Sequence, residues 1–167
     1  MNGTIKARDR LQPALLDRLR DDDPDSAQEP LERQVLSRNQ LRDAVLRDLQ
    51  WLLNSTRPSD VPGAGPHAQR SVLFYGLPAW SGFTASSMDL PDMEEAIRQA
   101  VADHEPRLLA RSVKVDAVVS EERLDTHNQL SFRISAQLWA QPIPLELLLQ
   151  TDVDLETGRV EVRDLAR

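Results

Sequence analysis

Apolar residues recur three and four positions apart in two long segments of the chain, and from about residue 111 onward they recur at every second position. In the first segment Leu41, Val45, Leu49 and Leu52 form a stripe widened by Ala44, Leu46 and Leu53, with Arg42, Asp43, Arg47 and Asp48 largely outside it. Ser37 and Gln40 have the spacing of a capping box, in which each side chain satisfies a backbone N–H at a helix start. A helix ending near Asn54 follows from this pattern. The second segment, from about residue 90 to 104, buries Met93, Ala96, Ile97, Ala100 and Val101. Asp89 suits its N-cap, and Asp92, Glu94 and Glu95 suit its positive end. Pro106 disfavours helical dihedrals at Glu105, so the helix stops there.

Beyond residue 111 the period is that of strands. Val113, Val115, Ala117 and Val119 alternate with Ser112, Lys114 and Asp116, and Leu130, Phe132, Ile134, Ala136 and Leu138 alternate with Ser131, Arg133, Ser135 and Gln137. The polar stretch 120–129 between them predicts an antiparallel hairpin with a long tip. After Pro142 and Pro144, a third strand carries Leu145, Leu147, Leu149, Thr151 and Val153, and the turn around Gly158 leads into a short fourth at residues 159–163.

The rest is punctuation and an arm. Residues 55–70 contain Pro58, Pro62, Gly63, Gly65 and Pro66, a composition that breaks every regular element and predicts a surface loop. Near the start, Leu11, Leu15, Leu16 and Leu19 recur at helical spacing before Asp21, Asp22, Asp23 and Pro24 stop the pattern. The expected organisation is an arm over residues 1–34, a short amphipathic helix with an acidic linker, and one domain over residues 35–167. Helices that precede a run of consecutive strands make the class α+β, with helices packed on one face of a small, largely antiparallel sheet of about four strands.

Composition narrows the partners. Twenty basic residues against 27 acidic ones give a net charge of −7, which opposes binding to a phosphate backbone. The absence of cysteine removes disulfides, thiolate nucleophiles and cysteine metal sites. The N-terminal sequence lacks the apolar core of a signal peptide and no run of about 18 apolar residues occurs, so a soluble, cytoplasmic protein without membrane insertion is expected.

Little in the chain points to catalysis. His67, His104 and His127 have no metal-ligand spacing, and no nucleophile elbow, phosphate-binding glycine loop or dinucleotide fingerprint occurs. Asp152, Asp154 and Glu156 lack the twelve-residue calcium-loop pattern. Glu105 is the one candidate acid, in the manner of a glycoside hydrolase. Arg107 argues against it, because a close cation stabilises the ionised form and a general acid needs its proton. Asp103 and Asp116 lie nearby in sequence, and neither is an evident second catalytic group. No enzyme activity, cofactor or metal is expected.

The stretches LQPALLDRLRDDDP, RDLQWLLN, SVLFYGLPAWSGF, AIRQAVADHEPRL, LSFRISAQLWAQPIP and LLLQTDVDLETG, in that order, resemble the TssE family of type VI secretion baseplate components. That family is a branch of the phage baseplate wedge proteins often labelled lysozyme-like. The likeness covers nearly the whole chain, residues 11–163. It implies a non-enzymatic assembly role in a contractile injection machine. The implied partners are the wedge proteins TssF and TssG, with TssK as a further candidate, and the sheath proteins TssB and TssC, whose first subunits extend the sheet by strand addition. It also implies that the triplet Glu105, Pro106 and Arg107 is a wedge-contact signature. An antiparallel sheet has edges that can accept a strand, which agrees with this.

The alternatives are a peptidoglycan hydrolase, motivated by Glu105 and the family label, and a small regulatory adaptor of the same fold. For Glu105 and Arg107 the bland alternative is an internal ion pair stitching the helix exit to the first strand. Trp139 falls on the polar side of its strand and is read as an interface residue, lying under a loop being the alternative. Trp51 is read as core or helix-to-sheet packing. Leu15, Leu16 and Leu19 read equally as an anchor for a partner or as a helix folded back on its own domain.

Overall fold

The computed structural model of the chain describes residues 14–19, 36–59, 61–83, 89–118, 129–139 and 144–165, apart from the side chain of Arg18. A four-stranded antiparallel sheet, β1 (Lys114–Ala117), β2 (Gln129–Leu138), β3 (Leu145–Asp154) and β4 (Val160–Asp164), is ordered β1-β2-β3-β4. Its helical layer consists mainly of α2 (Arg38–Leu53), which runs along β4, and α4 (Leu90–His104), which runs along β1 and packs on α2. The fold is therefore α+β, as the order of elements implies.

The register explains why one face is apolar. Val115 pairs with Ile134, Ile134 with Leu149, Phe132 with Thr151 and Thr151 with Val162, so alternate residues of all four strands reach the same side. There they meet Leu41, Val45, Leu49 and Leu52 of α2 and Met93, Ile97 and Val101 of α4, all nearly inaccessible to solvent. Removing this apolar surface from water is the main stabilising contribution. The opposite face carries Lys114, Asp116, Arg133 and Gln137, which are exposed.

Helix starts follow the sequence in one case and not in the other. At α2 the Gln40 N–H donates to Ser37 Oγ at 3.3 Å and the Ser37 N–H to Gln40 Oε1 at 2.9 Å, completing the capping box. Asp89 occupies the N-cap of α4 yet its side chain accepts no capping hydrogen bond. Residues 55–70 are not wholly irregular, because α3 (Pro66–Gln69) forms there with Pro66 in the first turn, where its missing N–H costs nothing. β1 begins later than the alternation suggests, since Ala110–Ser112 form a single 3-10 turn. α1 (Leu15–Leu19) is the described part of the arm; Leu11, the acidic linker and the hairpin tip at 119–128 lie outside the described residues.

Candidate functional site

α4 ends at His104, and the next three residues fold around one carboxylate. Glu105 is only 3 % exposed. Its Oε1 accepts the Arg107 N–H at 3.0 Å and Arg107 Nε at 2.7 Å, while Oε2 accepts Arg107 Nη2 at 2.5 Å. Pro106, fixed in φ, stands exposed at the apex. The Glu105 carbonyl closes the turn by accepting the Leu108 N–H at 3.1 Å. This is the internal stitch between helix and sheet: the Trp139 N–H donates to Arg107 O at 2.7 Å, and Leu109 N–H to Gln137 O at 2.9 Å.

Arg107 does more than pair with its neighbour. Its Nη2 also donates to Asp48 Oδ2 of α2 at 2.6 Å, so one guanidinium joins both long helices to the start of the sheet. Burial works against the charge on Arg107, but hydrogen bonds and attraction from Glu105 and Asp48 outweigh it and hold the group protonated. Asp48 Oδ1 in turn accepts Arg47 Nε at 2.9 Å, and the Arg47 guanidinium pairs with Asp17 of α1. The result is a chain of alternating charge from the arm to the helix exit: Asp17, Arg47, Asp48, Arg107, Glu105.

Arg47, Asp48, Glu105 and Arg107 line a groove of about 410 Å³, together with Leu16, Trp51, Tyr75 and Pro106. Tyr75 meets His104 edge-to-face with ring centroids 5.3 Å apart. Burial, then the nearby Asp48 and Glu105 carboxylates, push the Tyr75 hydroxyl above its ordinary range, so it stays a neutral donor. Trp51 is not in the core; it is 48 % exposed, with the Arg47 guanidinium over its ring at 5.1 Å. The apolar stripe of α2 ends one residue away at Leu52, and Trp51 falls on the groove side of that boundary.

Of the residues singled out in the sequence, Leu16, Glu105, Pro106 and Arg107 share this groove. Trp139 joins them through its backbone, and its side chain is half-buried. Leu15 and Leu19 are 71 % and 74 % exposed on α1. α1 is thus folded back and presented at once, held by Asp17 while Leu15 and Leu19 face solvent. Asp17, Arg47, Asp48 and Tyr75 were not evident from sequence; the only trace is the repeated Arg-Asp pair at 42–43 and 47–48 beside the buried stripe.

The docking of α1 carries a pH signature. The Arg47 hydrogen bond holds the Asp17 carboxyl below the ordinary aspartate value of 3.8. A depressed carboxyl stabilises the docked state fully above that value and loses the effect as pH falls through the lower, folded one. Acidification below pH about 4 is expected to shift the Arg47 Nε and Trp51 Nε1 resonances toward those of Asp17→Asn, which should itself be flat over the same range. A transition that persists in Asp17→Asn assigns the titration elsewhere.

The other carboxylates near Glu105 are engaged elsewhere. Asp103 accepts Arg70 Nε at 2.8 Å and Gln99 Nε2 at 2.6 Å, and Asp116 sits exposed on the sheet's polar face opposite Arg133. Asp154 caps its own turn, accepting the Glu156 and Thr157 N–H groups at 2.8 and 3.1 Å. His67 is exposed on α3, and His127 lies outside the described residues. Among the described residues no group of three or more His, Cys, Asp or Glu side chains is placed to hold a metal ion, and no helix is long and apolar enough to cross a membrane.

No curated protein and no solved structure matches the chain. A family model described as baseplate wedge protein gp25 matches residues 39–143. The matched span takes in α2, α4, β1 and β2, and with them Arg47, Asp48, Glu105, Pro106, Arg107 and Trp139. It covers well over half of the 167 residues, and the chain therefore belongs to the baseplate wedge protein gp25 family.

Proposed function

We propose that this chain is a TssE-like structural component of a type VI secretion baseplate wedge. In this reading it docks on the wedge proteins TssF and TssG, with TssK as a further contact. It joins the baseplate to the sheath proteins TssB and TssC by accepting a strand at an edge of its sheet. It works in the cytoplasm, without a cofactor and without catalysis, as a 35–167 domain carrying a 1–34 arm.

The observation that carries the reading is the convergence of Leu16, Pro106 and Arg107 on one groove whose walls are pinned by ion pairs. Glu105 is buried and engaged on both oxygens, so it shapes the turn from within. Pro106, the exposed part of Arg107 and the leucines of α1 are what a partner meets. A rigid, pre-ordered rim lowers the entropic cost of association. The same engagement of Glu105 leaves neither oxygen offered to a sugar in the groove, and Asp48, the other carboxylate lining it, is itself held by Arg107 and Arg47, so the hydrolase reading gains no support from the geometry.

The test is Leu15→Ser, Leu16→Ser and Leu19→Ser combined in one chain. Because these side chains are exposed, the melting temperature should stay within about 2 °C of the parent. Wedge proteins co-purified from cells should fall at least about tenfold, a loss of about 1.4 kcal/mol. Undiminished wedge recovery with the folded variant removes the arm from the docking surface.

A further inference from the structure

Each edge of the sheet presents outward backbone groups, and the two edges are treated differently. At β4, the Leu165 N–H donates inward to Leu148 O and the Arg159 carbonyl accepts inward from Asp154 N–H, both at 2.9 Å. Residues 160 and 162 therefore face outward. The Val160 N–H donates to Asn54 Oδ1 at 3.0 Å and the Val162 N–H to Gln50 Oε1 at 2.9 Å. The Val160 carbonyl accepts from both Gln50 Nε2, at 2.5 Å, and Asn54 Nδ2, at 2.7 Å.

Gln50, in the last turn of α2, and Asn54, its C-cap, are four apart, a separation of about 6 Å along a helix axis. Two residues of a strand advance about 6.8 Å. The match lets two carboxamides, each with a donor and an acceptor, stand in for a neighbouring strand. The same ridge continues at Arg42, whose Nε and Nη2 both donate to Asp164 at 2.5 Å.

At β1 the Val118 N–H donates inward to Ser131 O at 2.8 Å, so Val115 and Ala117 face outward. Among the described residues a single substitute is present there: Glu94 Oε1 accepts the Ala117 N–H at 2.6 Å. One carboxylate on a surface helix is readily exchanged for a main-chain carbonyl, because the released carboxylate regains water.

We infer that the α2 carboxamides of Gln50 and Asn54 seal the β4 edge, and that β1, gated by Glu94, is the edge that takes an incoming strand. This rests on the strand-addition reading above. The occupant is an extended segment of a partner chain. Apolar residues on its one side would meet Val115, Ala117 and α4, while residues of both charges on its other side would meet Lys114 and Asp116. Main-chain pairing supplies the bonds and this alternation supplies the choice of segment.

The test is amide hydrogen exchange on the full chain, alone and assembled with the sheath proteins that co-purify with it. In the chain alone, the Val160 and Val162 amides should exchange as slowly as inner-strand amides, and the Gln50→Ala/Asn54→Ala pair should speed both at least about tenfold. On assembly, the Val115 and Ala117 amides should slow at least about tenfold while Val160 and Val162 stay unchanged. Fast exchange at Val160 and Val162 in the chain alone overturns the seal and leaves strand addition standing. New protection at β4, with none at β1, overturns the choice of edge. If neither edge gains protection in a complex that retains sheath protein, strand addition itself is lost, whatever the chain alone shows.

Discussion

Arg107→Ala is expected to lower stability by about 3–5 kcal/mol, because it leaves the Glu105 carboxylate buried without its counter-charge. For a chain of this size that corresponds to a drop in melting temperature of about 10 °C. The two members of the pair should not be equivalent. Glu105 is 3 % exposed and takes three hydrogen bonds from Arg107. Arg107 is half-buried and keeps Asp48 when Glu105 is gone. Glu105→Ala should therefore cost less than Arg107→Ala, and Glu105→Gln less again, since an amide oxygen in the place of Oε1 still accepts two of the three bonds. Arg107→Lys should fall between, as a single ammonium cannot reach two carboxylates with the geometry of a fork. Thermal melts of the four variants decide the matter, and an Arg107→Ala protein no less stable than Glu105→Ala would contradict the account.

Gly76→Ala should be as damaging for a different reason. Gly76 has φ near 115°, outside the range of residues with a Cβ, and an added Cβ would lie 2.2 Å from the Ser55 carbonyl oxygen. That oxygen is not free to move, because it accepts the Leu77 N–H at 2.8 Å while the Arg57 N–H holds Leu77 O at 2.8 Å. Two strands of loop are thus crossed at Gly76. A methyl group there must break the crossing or distort it, with an expected loss of about 3 kcal/mol or more. Tyr75, one residue away, forms a wall of the groove, so His104 and Tyr75 resonances should move together in any folded Gly76→Ala protein. Melting within about 2 °C of the parent would show that the crossing can relax.

The fold was largely legible because its signals are local. Ser37 with Gln40, the 3.6-residue stripes of α2 and α4, and the alternation through β2 and β3 depend on neighbours in sequence, and each appears where the pattern puts it. The errors arise where a distant partner decides. Trp51 sits beside the apolar stripe in sequence, yet it lies outside the core with the Arg47 guanidinium over its ring. Gln50 and Asn54 look like solvated positions on an amphipathic helix, and only the arrival of β4 some 110 residues later gives their amides work. The triplet at 105–107 could be noticed from sequence. Its main cross-chain partner, Asp48, could not, because a carboxylate on a helix has no mark that tells an exposed charge from a buried tie.

The alternating chain from Asp17 to Glu105 also has a charge count. Three carboxylates and two guanidiniums leave that chain of ion pairs with one surplus negative charge, and withdrawal of α1 takes away Asp17 and leaves two of each sign. Undocking α1 thus turns an anionic chain of ion pairs into a neutral one whose outermost group, Arg47, is a cation that lines the groove. A ligand of the open groove meets positive charge first, although the chain as a whole carries −7.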